Sequence, residues 1–308
     1  MRPLIPYLEL PDLVLLPAGT LGRDAGPVSV KPFGVLVAAG VYIGAALALR
    51  YGRKRGLTTP ALTSFIVWVV VAGFVAGHVL DVVFYAPARI ADDPWSLVRL
   101  YDGLSSYGGF IGGVIGALLW KLRHRTHALP YADVVASALP MGWVFGRAGC
   151  AVVHDHPGIA SDAWYAVAYP DGGRVDLGLA EMVLSVPLAV AFVVLQRRAW
   201  PWGFFVCVLS LVYAPLRFLL DFWRIREPAL IGGAWVEPDA RYLALTPAQW
   251  ASLALFAFGA AVAARVFARP PIDARFLPPT LPTAFAQPAR AASDPDLDGS
   301  GEEPSSKR

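Results

Sequence analysis

Seven apolar blocks, separated by short polar or basic stretches, leave this chain few folds to choose from. They run from Phe33 to Leu49, Phe65 to Tyr85, Tyr107 to Trp120, Val134 to Cys150, Leu179 to Leu195, Trp202 to Leu220 and Trp250 to Phe267. A straight helix needs ~20 residues to cross the hydrocarbon core of a bilayer, and most of these blocks reach that length with their flanks included. Only 16% of the 308 residues are charged and 56% are hydrophobic, a charged share well below the ~25% usual in soluble domains. The expected fold is therefore all-α, a polytopic integral membrane protein with about seven transmembrane helices. The third block is short and glycine-rich (YGGFIGGVIG), a composition suited to close helix contact inside a bundle.

The basic residues set the direction of the spans. Arg50, Arg53, Lys54 and Arg55 follow the first block; Lys121, Arg123 and Arg125 follow the third; Arg197 and Arg198 follow the fifth; Arg265, Arg269 and Arg275 follow the seventh. With an odd number of spans all four clusters fall on one side, which the positive-inside rule makes cytoplasmic. The N-terminus is then outside and the C-terminus inside. Residues 1–32 carry prolines and acids through their apolar stretch and are read as a mature periplasmic segment rather than a signal peptide. Residues 33–268 are the membrane domain. Residues 269–308, rich in Pro, Ala and Ser, read as a disordered cytoplasmic tail. Within that tail Asp294, Asp296, Asp298 and Gly299 mimic the start of a calcium loop, but its twelfth position is Ser305 and not Glu. A net charge of +3 suggests no nucleic-acid partner. Cys150 and Cys207 have no CxxC spacing, so neither a disulfide framework nor a zinc motif is indicated. Cys207, ~20 Å from Asp221 along its helix at ~1.5 Å per residue, is a packing residue.

Ionisable residues inside spans are expensive and face a cavity or a partner. This topology brings several to one depth. His78 and Asp81 lie toward the outer end of the second span, Tyr107 opens the third, Arg147 and Cys150 close the fourth, Glu181 begins the fifth, and Arg217 and Asp221 close the sixth. The loop after the fourth span adds His154, Asp155 and His156. Interfacial anchoring is the plain alternative for each residue singly, but anchors would be as frequent at the inner face. Arg147 and Arg217 could grip a phosphate by forked hydrogen bonds, or pair with Glu181 and Asp221 as structural ion pairs. His154 and His156 could act as a general base or sit solvated in a loop. As a metal site the pair offers only two ligands, so no metal is expected. His124 and His127 fall in the cytoplasmic basic loop.

These segments resemble, in order, the motifs of the prolipoprotein diacylglyceryl transferase family. Gly103 to Gly113 (GLSSYGGFIGG) is similar to its Gly-Gly-Leu/Met-Ser-x-His-Gly-Gly motif, and Gly146 to Cys150 (GRAGC) to its Gly-Arg-x-Gly-Asn/Cys signature. Asp176 to Glu181 (DLGLAE) resembles its His-Pro-x-Gln-Leu-Tyr-Glu element, Arg217 to Arg224 (RFLLDFWR) its Arg-Phe-x-x-Glu-x-x-Arg pattern, and Leu245 to Gln249 (LTPAQ) the Leu-Thr-x-x-Gln before its last helix. Three positions and one segment depart from the family: Tyr107 replaces the motif histidine, Asp221 the glutamate, Ala180 the tyrosine, and His154 to Gly158 (HDHPG) an Asn- or Cys-containing segment.

The resemblance implies seven helices, an outside N-terminus and a location in the bacterial inner membrane. It implies transfer of a diacylglyceryl group from phosphatidylglycerol to the lipobox cysteine of a prolipoprotein signal peptide, with no cofactor. On that reading Arg147 and Arg217 bind the lipid phosphate, His154 or His156 takes the thiol proton, and Tyr107 donates a hydrogen bond to the head group. Glu181 orients an arginine or histidine, with Asp221, His78, Asp81 and Cys150 in support. The departures keep open a transferase acting on another lipid or acceptor, and an inactive relative. A transporter would place its polar groups near the midplane in repeated halves, which this sequence does not do.

Overall fold

The computed structural model describes residues 5–17, 28–85, 88–98 and 104–268, with residues 3 and 20. The tail from 269, its calcium-like loop, Gly103, Arg269 and Arg275 lie outside the described residues. Among the described residues eight α-helices follow in order: α1 (Pro32–Lys54), α2 (Thr59–Tyr85), the short α3 (Ala88–Asp92), α4 (Ser106–His124), α5 (Leu129–Val153), α6 (Leu177–Leu195), α7 (Phe204–Leu220) and α8 (Pro247–Phe267). Each apolar block falls on one long helix. Six of the helices are long and apolar enough to cross a membrane. The protein is thus mostly helical and multi-pass. α4, with 19 residues, stands apart because its glycines and basic last turn dilute its hydropathy.

Local sequence sets the helix ends. Pro32, Pro130 and Pro247 sit in the first turns of α1, α5 and α8, where a missing N–H costs nothing. The Ser105 side chain accepts from Gly108 N–H at 3.2 Å to cap α4, and Asp176 accepts from Leu179 N–H at 2.9 Å to cap α6. Thr246 and Gln249 form a reciprocal capping box at α8.

α2 packs on α4, α1 on α5, α5 on α6 and α7 on α8. The α2–α4 contact needs glycine. A Cβ at Gly108 would lie 2.8 Å from the Ala76 carbonyl oxygen, and one at Gly116 would lie 2.5 Å from that of Trp68. With Gly112 between them, the four-residue spacing makes a flat stripe against which the α2 backbone rests. So the least span-like helix is the most closely docked, as its sequence suggests.

The two ends of the bundle differ in chemistry. At the end carrying the basic loops, Phe65, Trp120, Tyr131, Phe192 and Phe205 make a buried aromatic core. The Tyr51 hydroxyl donates to the Arg198 carbonyl at 3.4 Å, Gln196 Nε2 donates to the Ser137 carbonyl at 2.9 Å, and the Arg55 guanidinium stacks 3.8 Å from the Trp202 ring centre. Outward faces carry exposed Val67, Val71, Leu118, Val190 and Phe256, the girdle expected of lipid contact.

The opposite end carries a small extramembrane cap. Strands β1 (Ile5–Pro6), β4 (Pro157–Ala160), β5 (Val167–Tyr169) and β6 (Gly172–Asp176) form a sheet in the order β1-β5-β6-β4. β1 runs parallel to β5, and the other pairs are antiparallel. β2 (Leu13–Leu16) pairs with β3 (Val28–Val30). β7 (Ala229–Ile231) and β8 (Ala234–Val236) form a hairpin turned by Gly232 and Gly233, both at positive φ, the two-residue turn that suits a twisted hairpin. Val167, Tyr169, Ile225 and Ile231 form the cap's own apolar cluster. Pairing of Gly158 with Arg224 ties the sheet to the segment after α7, and this fastens the cap over the polar ends of α5, α6 and α7.

Candidate functional site

Polar residues of six helices, α2 and α4 to α8, meet under the cap. Glu181, on the first turns of α6, stands between two guanidiniums. Arg147 Nε from α5 lies 3.1 Å from its Oε1, and Arg217 Nε from α7 lies 3.6 Å from its Oε2. Tyr213 donates its hydroxyl proton to Glu181 Oε1 at 2.5 Å, and Trp143 Nε1 donates to the same oxygen at 3.1 Å. The Arg147 guanidinium also stacks 5.0 Å from the Trp143 ring centre. It donates to the Ser106 hydroxyl on α4 and approaches Cys150 Sγ at 3.8 Å.

A second carboxylate organises the next layer. Asp221 accepts from Arg217 Nη1 at 2.7 Å and from Arg224 Nε at 2.8 Å, and its other oxygen accepts from the Thr246 hydroxyl at the start of α8. Arg224 reaches on to Asp239 at 2.9 Å. All four charged groups of the Arg147–Glu181–Arg217–Asp221 network are buried. Such a network adds little stability over an apolar core of equal volume. Its positioning of arginines is therefore the feature to explain.

A cavity of about 260 Å³ opens against this network; Arg217, Arg224, Asp155 and His156 line it together with Asp81, Ser105, Ser106 and Tyr107. The segment after α7 adds Ile225, Val236, Glu237 and Asp239. Arg217 lines the cavity; its buried Nε makes no hydrogen bond among the described residues and lies within ion-pair range of Glu181 Oε2, at 3.6 Å. Arg147 lies one layer behind, reaching the cavity wall through Ser106.

The two loop histidines separate. His154 ends α5 in the left-handed region, at φ 50°, and the chain reverses there. Its Nδ1 meets Asp176 Oδ2 at 2.7 Å, its Nε2 meets the Leu8 carbonyl at 3.1 Å, and its ring stacks on Tyr7 with centroids 4.0 Å apart. Both ring nitrogens are thus engaged, and His154 holds β1 to the cap. The Tyr169 hydroxyl donates to the same Asp176 oxygen at 2.9 Å; burial, then the charge of Asp176, push that phenol up, so it remains a donor. His156 lies on the cavity wall. Burial, then the cations Arg224, Arg147 and Arg217, hold its imidazole well below the ordinary histidine value, so the ring is neutral and has a free lone pair. Burial of the inner part of its carboxyl raises Asp155 to about 6, against the opposing charge of Arg147, even though the side chain is 39% exposed at its outer edge.

Of the other residues singled out in the sequence, Tyr107 lines the cavity and shares a hydrogen bond with the Ser252 hydroxyl of α8. Ser252 donates in turn to the Ala248 carbonyl at 2.8 Å. Asp81 lines the cavity too. His78 is fully buried, with Nε2 2.8 Å from the Ser96 carbonyl oxygen, tying α2 to the turn Pro94–Val98. Cys150 is buried beside Arg147. Sequence reasoning left out Ser106, Trp143, Tyr213, Arg224, Asp239 and Ser252. Trp143 and Tyr213 pass as ordinary apolar-span aromatics, and only a polar tip buried in a span gives them away. Arg224 stands in a quoted motif, and its charge at the end of a span was the available signal.

A model of the prolipoprotein diacylglyceryl transferase family matches residues 23–265. Among curated proteins, the chain is 29% identical to a phosphatidylglycerol–prolipoprotein diacylglyceryl transferase of Agrobacterium fabrum over 78% of this chain and 89% of the relative. It is 32% identical to the protein of that name from Chromohalobacter salexigens, over 67% of this chain and 79% of the relative. It is 30% identical to that of Sinorhizobium medicae, over 71% and 80%.

Proposed function

The chain belongs to the prolipoprotein diacylglyceryl transferase family, and from that premise we propose how its outer polar site works. The protein is a membrane transferase that moves a diacylglyceryl group from phosphatidylglycerol to a prolipoprotein, the first step of lipoprotein maturation. The acceptor atom is the thiol of a lipobox cysteine, presented by a signal peptide that arrives from the membrane. The thiolate attacks the glyceryl carbon that bears the phosphate ester. A carbon–sulfur bond forms, the carbon–oxygen bond breaks, and the electron pair leaves with glycerol phosphate.

One observation carries this reading: two buried guanidiniums are held apart by Glu181, and one of them, Arg217, lines a cavity of head-group size. Arg217 binds the phosphate directly. Arg147, through Ser106, fixes the wall opposite and adds positive potential where charge develops on the leaving group. Because Glu181 and Asp221 hold both guanidiniums before substrate arrives, little reorganisation is left for the transition state.

The proton of the thiol goes to the His156 side of the cavity. A free tyrosine phenol titrates near ~10 and is a poor base at neutral pH, so Tyr107 serves as a hydrogen-bonding wall residue. His154 is a positioning residue of the cap. The guanidiniums that keep His156 neutral also favour a thiolate next to it. Asp81 lines the cavity with these groups, and the buried His78 and Cys150 support the helices that carry them.

The site lies at the end opposite the basic loops, so this end is the periplasmic one, with the N-terminus outside and the C-terminus in the cytoplasm of a bacterial inner-membrane protein. Residues 1–32 form the outer segment, 33–268 the transferase domain and 269–308 the tail. Expression in a bacterium whose own diacylglyceryl transferase is depleted tests the reading. A reporter prolipoprotein that gains the mass of one diacylglyceryl group supports it. An inserted, intact protein that leaves both the reporter and its native lipoproteins unmodified refutes it.

A further inference from the structure

Three aromatic side chains form a connected series on the outside of the cap. Trp164 and Tyr165 lie between β4 and β5, and Trp223 follows the end of α7. The Trp164 and Tyr165 rings meet edge to face with centroids 5.6 Å apart, and Tyr165 stacks on Trp223 at 6.3 Å. Trp164 is 61% exposed, Tyr165 42% and Trp223 38%. Their rings belong neither to the aromatic core of the bundle nor to the apolar cluster of the cap.

Trp223 fixes the depth of this series. It is the last residue of the segment Phe204–Trp223, which is long and apolar enough to cross a membrane. Its ring therefore sits where hydrocarbon gives way to head groups. Leu219 and Phe222, just before it, are exposed, as the lipid-facing side chains of a span are. The cap docks tightly at this point. A Cβ at Gly158 would lie 2.6 Å from the Trp223 carbonyl oxygen and 2.7 Å from that of Val175, so only glycine lets β4 approach. Tyr165 and Trp164 thus continue the lipid-facing surface of the span onto the cap.

We propose that Trp164, Tyr165 and Trp223 seat the cap in the head-group layer of the membrane, so that the segment between β4 and β5 rests on lipid and not in water. Trp and Tyr favour this layer because the ring body is apolar while the indole N–H or phenol reaches polar groups. Charge does not supply the attraction. The charged residues nearest the rings in sequence and exposed are Asp162, Arg226 and Glu227, a set with no cationic excess to draw an anionic surface. The partner is the lipid interface itself, whatever the charge of its head groups.

The seating has a consequence for the cavity. β4 begins at Pro157, directly after His156, and Arg224 directly follows Trp223. His156, Pro157 and Arg224 all line the cavity, and pairing of Gly158 with Arg224 joins their two segments. Anchoring the rings at the interface therefore sets the depth at which the cavity meets a lipid head group. This link to transfer rests on the transferase reading; the seating itself does not.

The test places a nitroxide on the full chain at Trp164→Cys and, separately, at Tyr165→Cys, in vesicles of phosphatidylcholine with or without phosphatidylglycerol. Both native cysteines are buried, and the parent chain gives the labelling background. Power-saturation electron paramagnetic resonance compares collisions with oxygen, which concentrates in lipid, and with a nickel chelate, which stays in water. Oxygen should dominate by about threefold or more at either site, equally in both kinds of vesicle, as for a side chain at the interface. A label that the chelate reaches as readily as oxygen would overturn the seating. Protection that needs phosphatidylglycerol would overturn it in favour of a charge contact, and protection that needs an added lipobox peptide would give the surface to the signal peptide. The double variant Trp164→Ser, Tyr165→Ser should raise KM for vesicle phosphatidylglycerol and spare kcat; an unchanged KM would overturn the link to the cavity. The resonance measurement needs no turnover, so labels lying in lipid on a chain without transfer would keep the seating and remove only the transferase reading.

Discussion

Arg147 Nε lies 3.1 Å from Glu181 Oε1, and both side chains are only 5% exposed. Neither charge has water to fall back on, so each fixes the other. Arg147→Ala should therefore lower transfer by about 10²–10³-fold or more, the scale of losing one preorganised donor to developing charge. Arg147→Lys keeps the charge but not the planar fork and should recover little. Both are read as initial rates on purified protein whose size-exclusion profile matches the parent. Near-normal turnover of Arg147→Ala would remove that residue from the reaction.

Glu181→Gln should be costly in a different way. It keeps the shape but leaves two guanidiniums facing a neutral amide in a buried site. Breaking one member of such a pair costs about 3–5 kcal/mol. Reduced thermal stability in detergent, together with lost activity, is expected. Loss of activity at full stability would mean that Glu181 reacts directly.

Tyr107 and His156 make opposite predictions. Tyr107→Phe loses one neutral hydrogen bond, to Ser252, and should slow transfer by about tenfold at most, for a term of about 0.5–1.5 kcal/mol. His156→Ala should slow it by about 10²–10⁴-fold, the range for a removed base. The reverse ranking, measured as kcat/KM with a lipobox peptide, would move the base to Tyr107.

Asp176 serves three partners: it accepts from Leu179 N–H and Tyr169 and meets His154. Asp176→Ala should lower the melting temperature, with the lost cap alone costing about 0.5–2 kcal/mol. His154→Ala should show the same kind of loss while keeping most of its transfer rate at low temperature. A folded, stable His154→Ala protein without activity would contradict its positioning role.

The helices were legible because a spanning segment must satisfy its own backbone and face lipid, which leaves long apolar blocks in the sequence. Block and helix differ mainly at the ends: Phe33 to Leu49 grows into Pro32–Lys54, because a helix continues through Arg50 and Arg53 once it has left the bilayer. The cap was not legible. Its strands are two to five residues long, too short for an alternating pattern, and β1 pairs with β5 across more than 150 residues. In the site, Arg147, Glu181, Arg217 and Asp221 could be grouped because charges in spans are rare. Their individual partners could not, since rotation about each helix axis is set by packing. His154 and His156 looked equivalent in sequence, and only the left-handed turn at His154 tells them apart.

The most direct measurement is a reconstituted reaction: purified chain, phosphatidylglycerol vesicles with an isotopic label in the glyceryl group, and a lipobox peptide, followed by mass spectrometry of the peptide and assay of released glycerol phosphate. The account predicts one labelled diacylglyceryl group in thioether linkage on the cysteine for each glycerol phosphate released, with both products lost in Arg217→Ala. Peptide left unmodified by folded protein, or modified with no glycerol phosphate released, would contradict it.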